Sequence, residues 1–319
     1  EIVYSILLSV ALSFALGSLV QYVSRLIFTF HIEKRYKYVA ALFGGVAMTA
    51  ITFFILVKGL KSITFVPSEV KDFIKESPFT IIAYSLILWT IVCQLLISVF
   101  KYSVFKFIII VGTFGLALAF AGNDLVNFIG VPIAAYQAFE IWAAPGQTVG
   151  ATEFMMSGLE KENLPAPFIF LALAGLVMVY TLWTSKKAKS VIETEQNLSR
   201  QGEGNEKYNA NTLSRNLVRA MMYLGNIISF ILPKSLQRKL DAQFVQPEYT
   251  GKRDEQPMFD MVRASVNLIV ASILISIGTS MKLPLSTTYV TFMVAMGSSF
   301  ADRAWDRESA VYRVAGVFN

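Results

Sequence analysis

The residues best suited to chemistry lie in two short polar islands inside long apolar surroundings. The first is Ala121-Gly122-Asn123-Asp124-Leu125-Val126-Asn127. Asp124 is the one formal charge between Phe107 and Phe139. An ionisable group in a stretch apolar enough for a bilayer is costly to keep and is functional by default. Asn123 and Asn127 are spaced i and i+4, so a helix places them on one face. Gly122 permits an unwound turn before them, where Asn or Asp can cap a half-helix. One carboxylate, two amide carbonyls and freed backbone carbonyls are oxygen ligands for a hard cation such as Na⁺, or parts of a proton relay. The bland alternative is an Asp that caps a helix or pairs with a base.

The second island is Leu283-Pro284-Leu285-Ser286-Thr287-Thr288-Tyr289. Proline is tolerated at a helix entrance, where its missing N–H is no loss. Three consecutive hydroxyls follow it. The free N–H groups and positive dipole end of a helix N-terminus bind anions. Broken helices in transporters place such ends near the bilayer midplane. Taken alone, hydroxyls at a break serve equally well to satisfy backbone groups.

The elements that position these islands are membrane helices. The chain of 319 residues is 55% hydrophobic and 16% charged, against about 25% charged in soluble domains, and its mean hydropathy is +0.54. Apolar runs at roughly 2–30, 38–60, 78–100, 104–139 and 166–184 are long enough to read as spans. Helix is expected because lipid offers the backbone no hydrogen-bond partners. The 104–139 run is too long for one straight span, so a break, a tilt or a surface helix is expected in it. The net charge of +6 is no nucleic-acid signature, because the basic residues sit between the apolar runs. The segments 31–37, 101–106 and 185–257 are rich in Lys and Arg and read as cytoplasmic. The links 61–77 and 140–165, balanced or acidic, read as external, which starts the N-terminus outside. Cys93 is the single cysteine and His31 the single histidine, which excludes an internal disulfide and a His/Cys metal cluster. No secretory signal peptide is recognised, because the first apolar run is too long.

Three regions follow from this reading. Residues 1–184 hold transmembrane helices and the Asn-Asp motif. Residues 185–257 form a polar cytoplasmic linker, partly disordered by composition. Within it Leu213, Leu217, Met221, Leu224, Ile228 and Ile231 recur at helical spacing and predict an amphipathic helix over 212–232, either a plain surface helix or one docked on the membrane surface. Residues 258–319 hold two apolar segments, roughly 259–279 and 285–301, with basic residues on both outer flanks. A hairpin that leaves and returns on one side is expected, re-entrant in preference to two full spans, followed by the start of a further helix.

Together the islands resemble a known family. Gly122-Asn123-Asp124-Leu125-Val126-Asn127, followed by Gly130 and Pro132, resembles the Gly-Ala-Asn-Asp-Val-Ala-Asn motif of the inorganic phosphate transporter (PiT) family. Pro284-Leu285-Ser286-Thr287-Thr288 resembles that family's Pro-Val-Ser-Thr-Thr-His motif. The resemblance covers most of the chain and implies an all-α polytopic bundle built from two inverted repeats, each with one Asn-Asp motif and one Ser-Thr-Thr hairpin, with phosphate between them. Only one copy of each motif is present here. The chain opens on Glu1 and an apolar run begins just before Asn319, so it is expected to be a fragment holding the second repeat. The expected phosphate ligands are Ser286, Thr287, Thr288 and Asn127. The expected cation ligands are Asp124, Asn123 and Asn127, with Asn267 and Arg263 as supporting residues. Two features depart from the family: Tyr289 replaces a frequent histidine, and the glutamate that many members carry about four turns before the hairpin break is missing, Asn267 and Arg263 being the nearest polar residues on that helix. The resemblance therefore leaves the coupling ion open, with Na⁺ preferred to H⁺ because two amides flank one carboxylate.

The expected function is cation-coupled phosphate symport across the plasma membrane by alternating access. No enzymatic activity, cofactor or nucleic-acid partner is expected, and a homodimer is left open. A non-transporting scaffold or receptor derived from a transporter is the main alternative. An intramembrane phosphotransferase is the weakest, because it needs a nucleophile with a base or a metal cluster, and His31 is distant in sequence from both islands.

Overall fold

The computed structural model describes residues 2–29, 37–53, 69, 76–144, 150, 153–160, 166–190, 209, 211–231, 233–244, 260–281, 283, 285–303 and 311. Among them the regular elements are all helical: α1 (Ile2–Ile27), α2 (Lys37–Ile51), α3 (Pro78–Ser98), α4 (Val104–Ala143), a 3-10 turn (Ser157–Glu160), α5 (Phe168–Thr184), α6 (Thr212–Ile231), α7 (Lys234–Gln243), α8 (Met261–Ser280) and α9 (Thr287–Ala301). Four segments are long and apolar enough to cross a membrane: Val3–Ile27, Pro78–Ser98, Val104–Ala121 and Met261–Ser280. This is a helical membrane protein. The runs expected at 38–60 and 166–184 appear as the shorter apolar helices α2 and α5, and the stretch 54–60 lies outside the described residues.

Side chains explain where the helices sit. α3 and α5 expose apolar residues such as Tyr84, Ile87, Leu88, Ile91, Leu173, Val177 and Trp183, as lipid-facing surfaces do. α8 is buried along most of its length and packs against α1, α2, α4 and α9. α1 and α9 approach closely because glycine occupies both sides of their crossing. A Cβ on Gly17 would stand 2.6 Å from the Val294 carbonyl oxygen, and one on Gly297 would collide with that of Phe14. Ser18 donates from Oγ to the Gly297 carbonyl at 3.0 Å. Small residues and hydroxyls of this kind hold helices together in lipid, where burial alone does not.

Helix ends are arranged in one layer. Phe28, at the end of α1, packs with Ala40 of α2, Phe105 of α4 and Val262 of α8. Arg25 of α1 pairs with Asp260, which precedes α8, and with Asp302, which follows α9. The outer ends of the α8–α9 hairpin therefore lie together at the same end of the bundle as the end of α1 and the starts of α2 and α4. That arrangement agrees with the flanks assigned to one side from their charge. α8 has 20 residues, about 30 Å of helix, while α9 has 15, about 22 Å. The first arm is span-length and the second falls short.

α4 corrects one expectation. Its 40 residues run unbroken from Val104 to Ala143, with Pro132 inside. No turn unwinds at Gly122, so the carbonyls of 121–127 stay in the helical ladder and are not freed as ligands. The amphipathic helix expected over 212–232 is present as α6. Its Val218 is buried against Ala295 and Met296 of α9, while the side chains of Leu217, Met221, Leu224, Ile228 and Ile231 lie outside the described residues.

Sidedness has a direct measurement. In a Cys93→Ala background, Gln256→Cys and Ser309→Cys should react with an impermeant maleimide from the cytoplasmic side only. External labelling at Ser309→Cys would give the hairpin an odd number of crossings, and external labelling of Ser280→Cys would make it two full spans.

Candidate functional site

The hairpin turn is built by local bonds. The Met281 N–H donates to Ile277 O and the Leu283 N–H to Gly278 O, each at 3.0 Å. Gly278 has no side chain, and the Leu285 side chain occupies the space a Cβ would need. The chain thereby folds back tightly before α9 begins. Lys282 and Pro284 lie outside the described residues. Ser286 is the N-cap of α9: its Oγ accepts from the Tyr289 N–H at 3.4 Å, taking up one of the donors that a helix start leaves unpaired.

This turn carries Thr287 to Asp124. The Thr287 hydroxyl stands 3.4 Å from each carboxylate oxygen of Asp124. Both distances exceed the usual O–H···O range of about 2.5–3.0 Å, so the hydroxyl straddles the carboxylate without closing on either oxygen. Thr287 is buried, Asp124 and Ser286 are half-buried and Thr288 is exposed. The two islands, 163 residues apart in sequence, thus meet at the N-terminus of α9. The side chains of Asn123 and Asn127 lie outside the described residues, so their expected roles are not placed. Among the described residues no three or more His, Cys, Asp or Glu side chains form a group. A cation here would rest on the Asp124 carboxylate and the Thr287 hydroxyl.

Beneath this layer α8, α9 and α4 pack an apolar stratum of Leu116, Ala119, Val270, Ala271, Ile275, Val290 and Val294.

The two supporting residues are elsewhere. Asn267 accepts at Oδ1 from the Ser298 hydroxyl at 2.5 Å. Ser298 is eleven residues beyond Thr287, about 17 Å along α9. Asn267 ties the hairpin arms together instead of supporting the anion site. Arg263 is fully buried and lies 3.6 Å from Asp302, at the outer end of the hairpin. It is not at the Thr287 level but at the start of α8, its guanidinium buried against Asp302.

Sequence reasoning missed the group that Arg263 joins. Arg25 donates from Nε to Asp302 Oδ1 at 2.7 Å and from Nη2 to Asp302 Oδ2 at 2.5 Å. The same Nη2 donates to Asp260 Oδ1 at 2.9 Å. Asp260 also caps α8 by accepting from the Arg263 N–H at 2.9 Å. Two arginines and two aspartates make a neutral quartet in which Arg25, Arg263 and Asp302 are wholly buried. The signal was a lone Arg25 near the end of an apolar run and an Asp on each flank of the hairpin. Nothing local, however, says that these charges meet.

The chain matches no family model, no curated protein and no solved structure.

Proposed function

We propose that this chain carries one half of a cation-coupled transporter of inorganic phosphate, related to the inorganic phosphate transporter family and working by alternating access between inverted repeats. The observation that supports this most is the approach of Thr287 to Asp124. It sets a carboxylate suited to a cation beside a helix N-terminus suited to an oxyanion, so each charge offsets the other. Ser286, Thr287 and Thr288 supply hydroxyls and first-turn N–H groups to phosphate. Asp124, with Asn123 and Asn127, takes Na⁺ or, as the second choice, a proton. The motif resemblance points to phosphate over other oxyanions.

The same contact suits a second reading, in which Asp124 only stabilises the positive end of the α9 dipole. Uptake kinetics separate the two. Thr287→Ala in the intact transporter removes one hydroxyl and keeps the helix start. A hydrogen bond to a charged group is worth about 1.5–3 kcal/mol, so KM for phosphate should rise roughly ten- to hundredfold. Ser286→Ala should raise it too, with a further loss from the N-cap. Unchanged phosphate KM in both variants would support the structural reading and move the anion site elsewhere.

A further inference from the structure

We propose that α7 and Phe244 form a releasable clasp across the ends of α1 and α9, which sets how readily that end of the bundle opens. Its consequence for transport rests on the reading above; its geometry does not.

Phe244 ends the linker helix and is 6% exposed. Its ring stacks on Tyr22 of α1 at 5.6 Å and 24°. The Arg303 guanidinium, just past α9, lies 5.0 Å from the centre of the same ring. Arg303 also pairs with Asp241 of α7 at 2.8 Å. One aromatic ring thus joins three separate segments: α1, the linker and the end of α9. Arg303 holds a left-handed backbone, φ 52°, which a residue with a Cβ adopts at a cost unless its surroundings impose it. Here the ring and Asp241 hold the side chain in place.

The clasp and the quartet divide the work. Tyr22 stands three residues before Arg25, and Arg303 directly follows Asp302. The quartet is buried and expensive to part. Arg303 and Asp241 are 57% and 59% exposed, so their pairing is weak and screened by salt. The clasp can let go while the quartet stays intact. Gln21, beside Tyr22, supplies a bias toward opening. Its amide is fully buried, and neither Nε2 nor Oε1 has a hydrogen-bond partner. A buried amide in that condition gains when water reaches it.

The test measures access at Ser24, a buried residue next to Arg25, in the intact protein reconstituted in liposomes. Ser24→Cys in a Cys93→Ala background is titrated with a water-soluble maleimide applied to the face bearing Arg303. Phe244→Ala and Arg303→Gly should each speed the reaction about tenfold. Arg303→Gly is the cleaner variant, because glycine accepts the left-handed backbone and only the side-chain contacts go. Unfolding is read separately from wild-type Cys93, which is fully buried. Unchanged Ser24→Cys rates in Arg303→Gly, or Cys93 reactivity rising in step with them, would overturn the clasp. Phosphate uptake by the parent protein is measured in parallel. Absence of uptake sinks the transport reading, and the labelling rates still decide the clasp.

Discussion

Asp124→Asn in the intact protein should abolish sodium-stimulated phosphate uptake. Asparagine keeps the shape and one acceptor oxygen near Thr287 but removes the charge that a cation would neutralise. In the proposed mechanism Asp124 takes up either a cation or a proton during transport. The two differ in pH behaviour. With Na⁺ bound, wild-type uptake at saturating sodium should vary with pH only as phosphate itself titrates. With a proton bound, uptake should rise with acidity and ignore sodium. The unbroken course of α4 sharpens the comparison, because freed backbone carbonyls are not there to replace the lost carboxylate. Normal uptake with normal ion dependence in Asp124→Asn would defeat both versions, and the carboxylate would then be a structural cap for α9.

The largest stability effect should come from Asp302→Asn. Asp302 receives both arms of the Arg25 fork and lies against Arg263. The change is nearly isosteric, yet it leaves two buried guanidiniums and one carboxylate, that of Asp260, in the quartet. Removing one partner from a buried ion pair typically costs about 3–5 kcal/mol, because the remaining charge is uncompensated. Thermal unfolding in detergent should show a marked drop in Tm. Adding Arg263→Met restores neutrality and should recover part of the loss, with coupling between the two sites visible as non-additivity. A double variant no more stable than Asp302→Asn would contradict the shared-charge account. Thr288→Ala, at an exposed position, serves as a control and should leave Tm unchanged.

The helices and their capacity to enter a bilayer were legible from local sequence. Hydropathy and backbone hydrogen bonding act over a few turns, so apolar runs announced α1, α3 and α8, and Ser286 announced the start of α9. The charge of the flanks anticipated that 260 and 302 lie at one end. α4 was read less well. Gly122 made a break plausible, but a glycine weakens a helix by only about 1 kcal/mol, and a continuous ladder satisfies the backbone better in lipid. Arg263 was read from its position along α8, which says nothing of a partner on another helix.

What the sequence by itself determined is therefore the material: a helical membrane protein, one carboxylate within an apolar run and three hydroxyls at a helix start. The tertiary structure decided the pairings. It set Thr287 against Asp124 across 163 residues and Arg25 against Asp302 across 277. It also seated Phe244 between Tyr22 and Arg303. Such choices depend on which helix faces meet. Those faces are set by glycine contacts such as Gly17 with Val294 and Gly297 with Phe14, where the absence of a single Cβ lets two backbones touch.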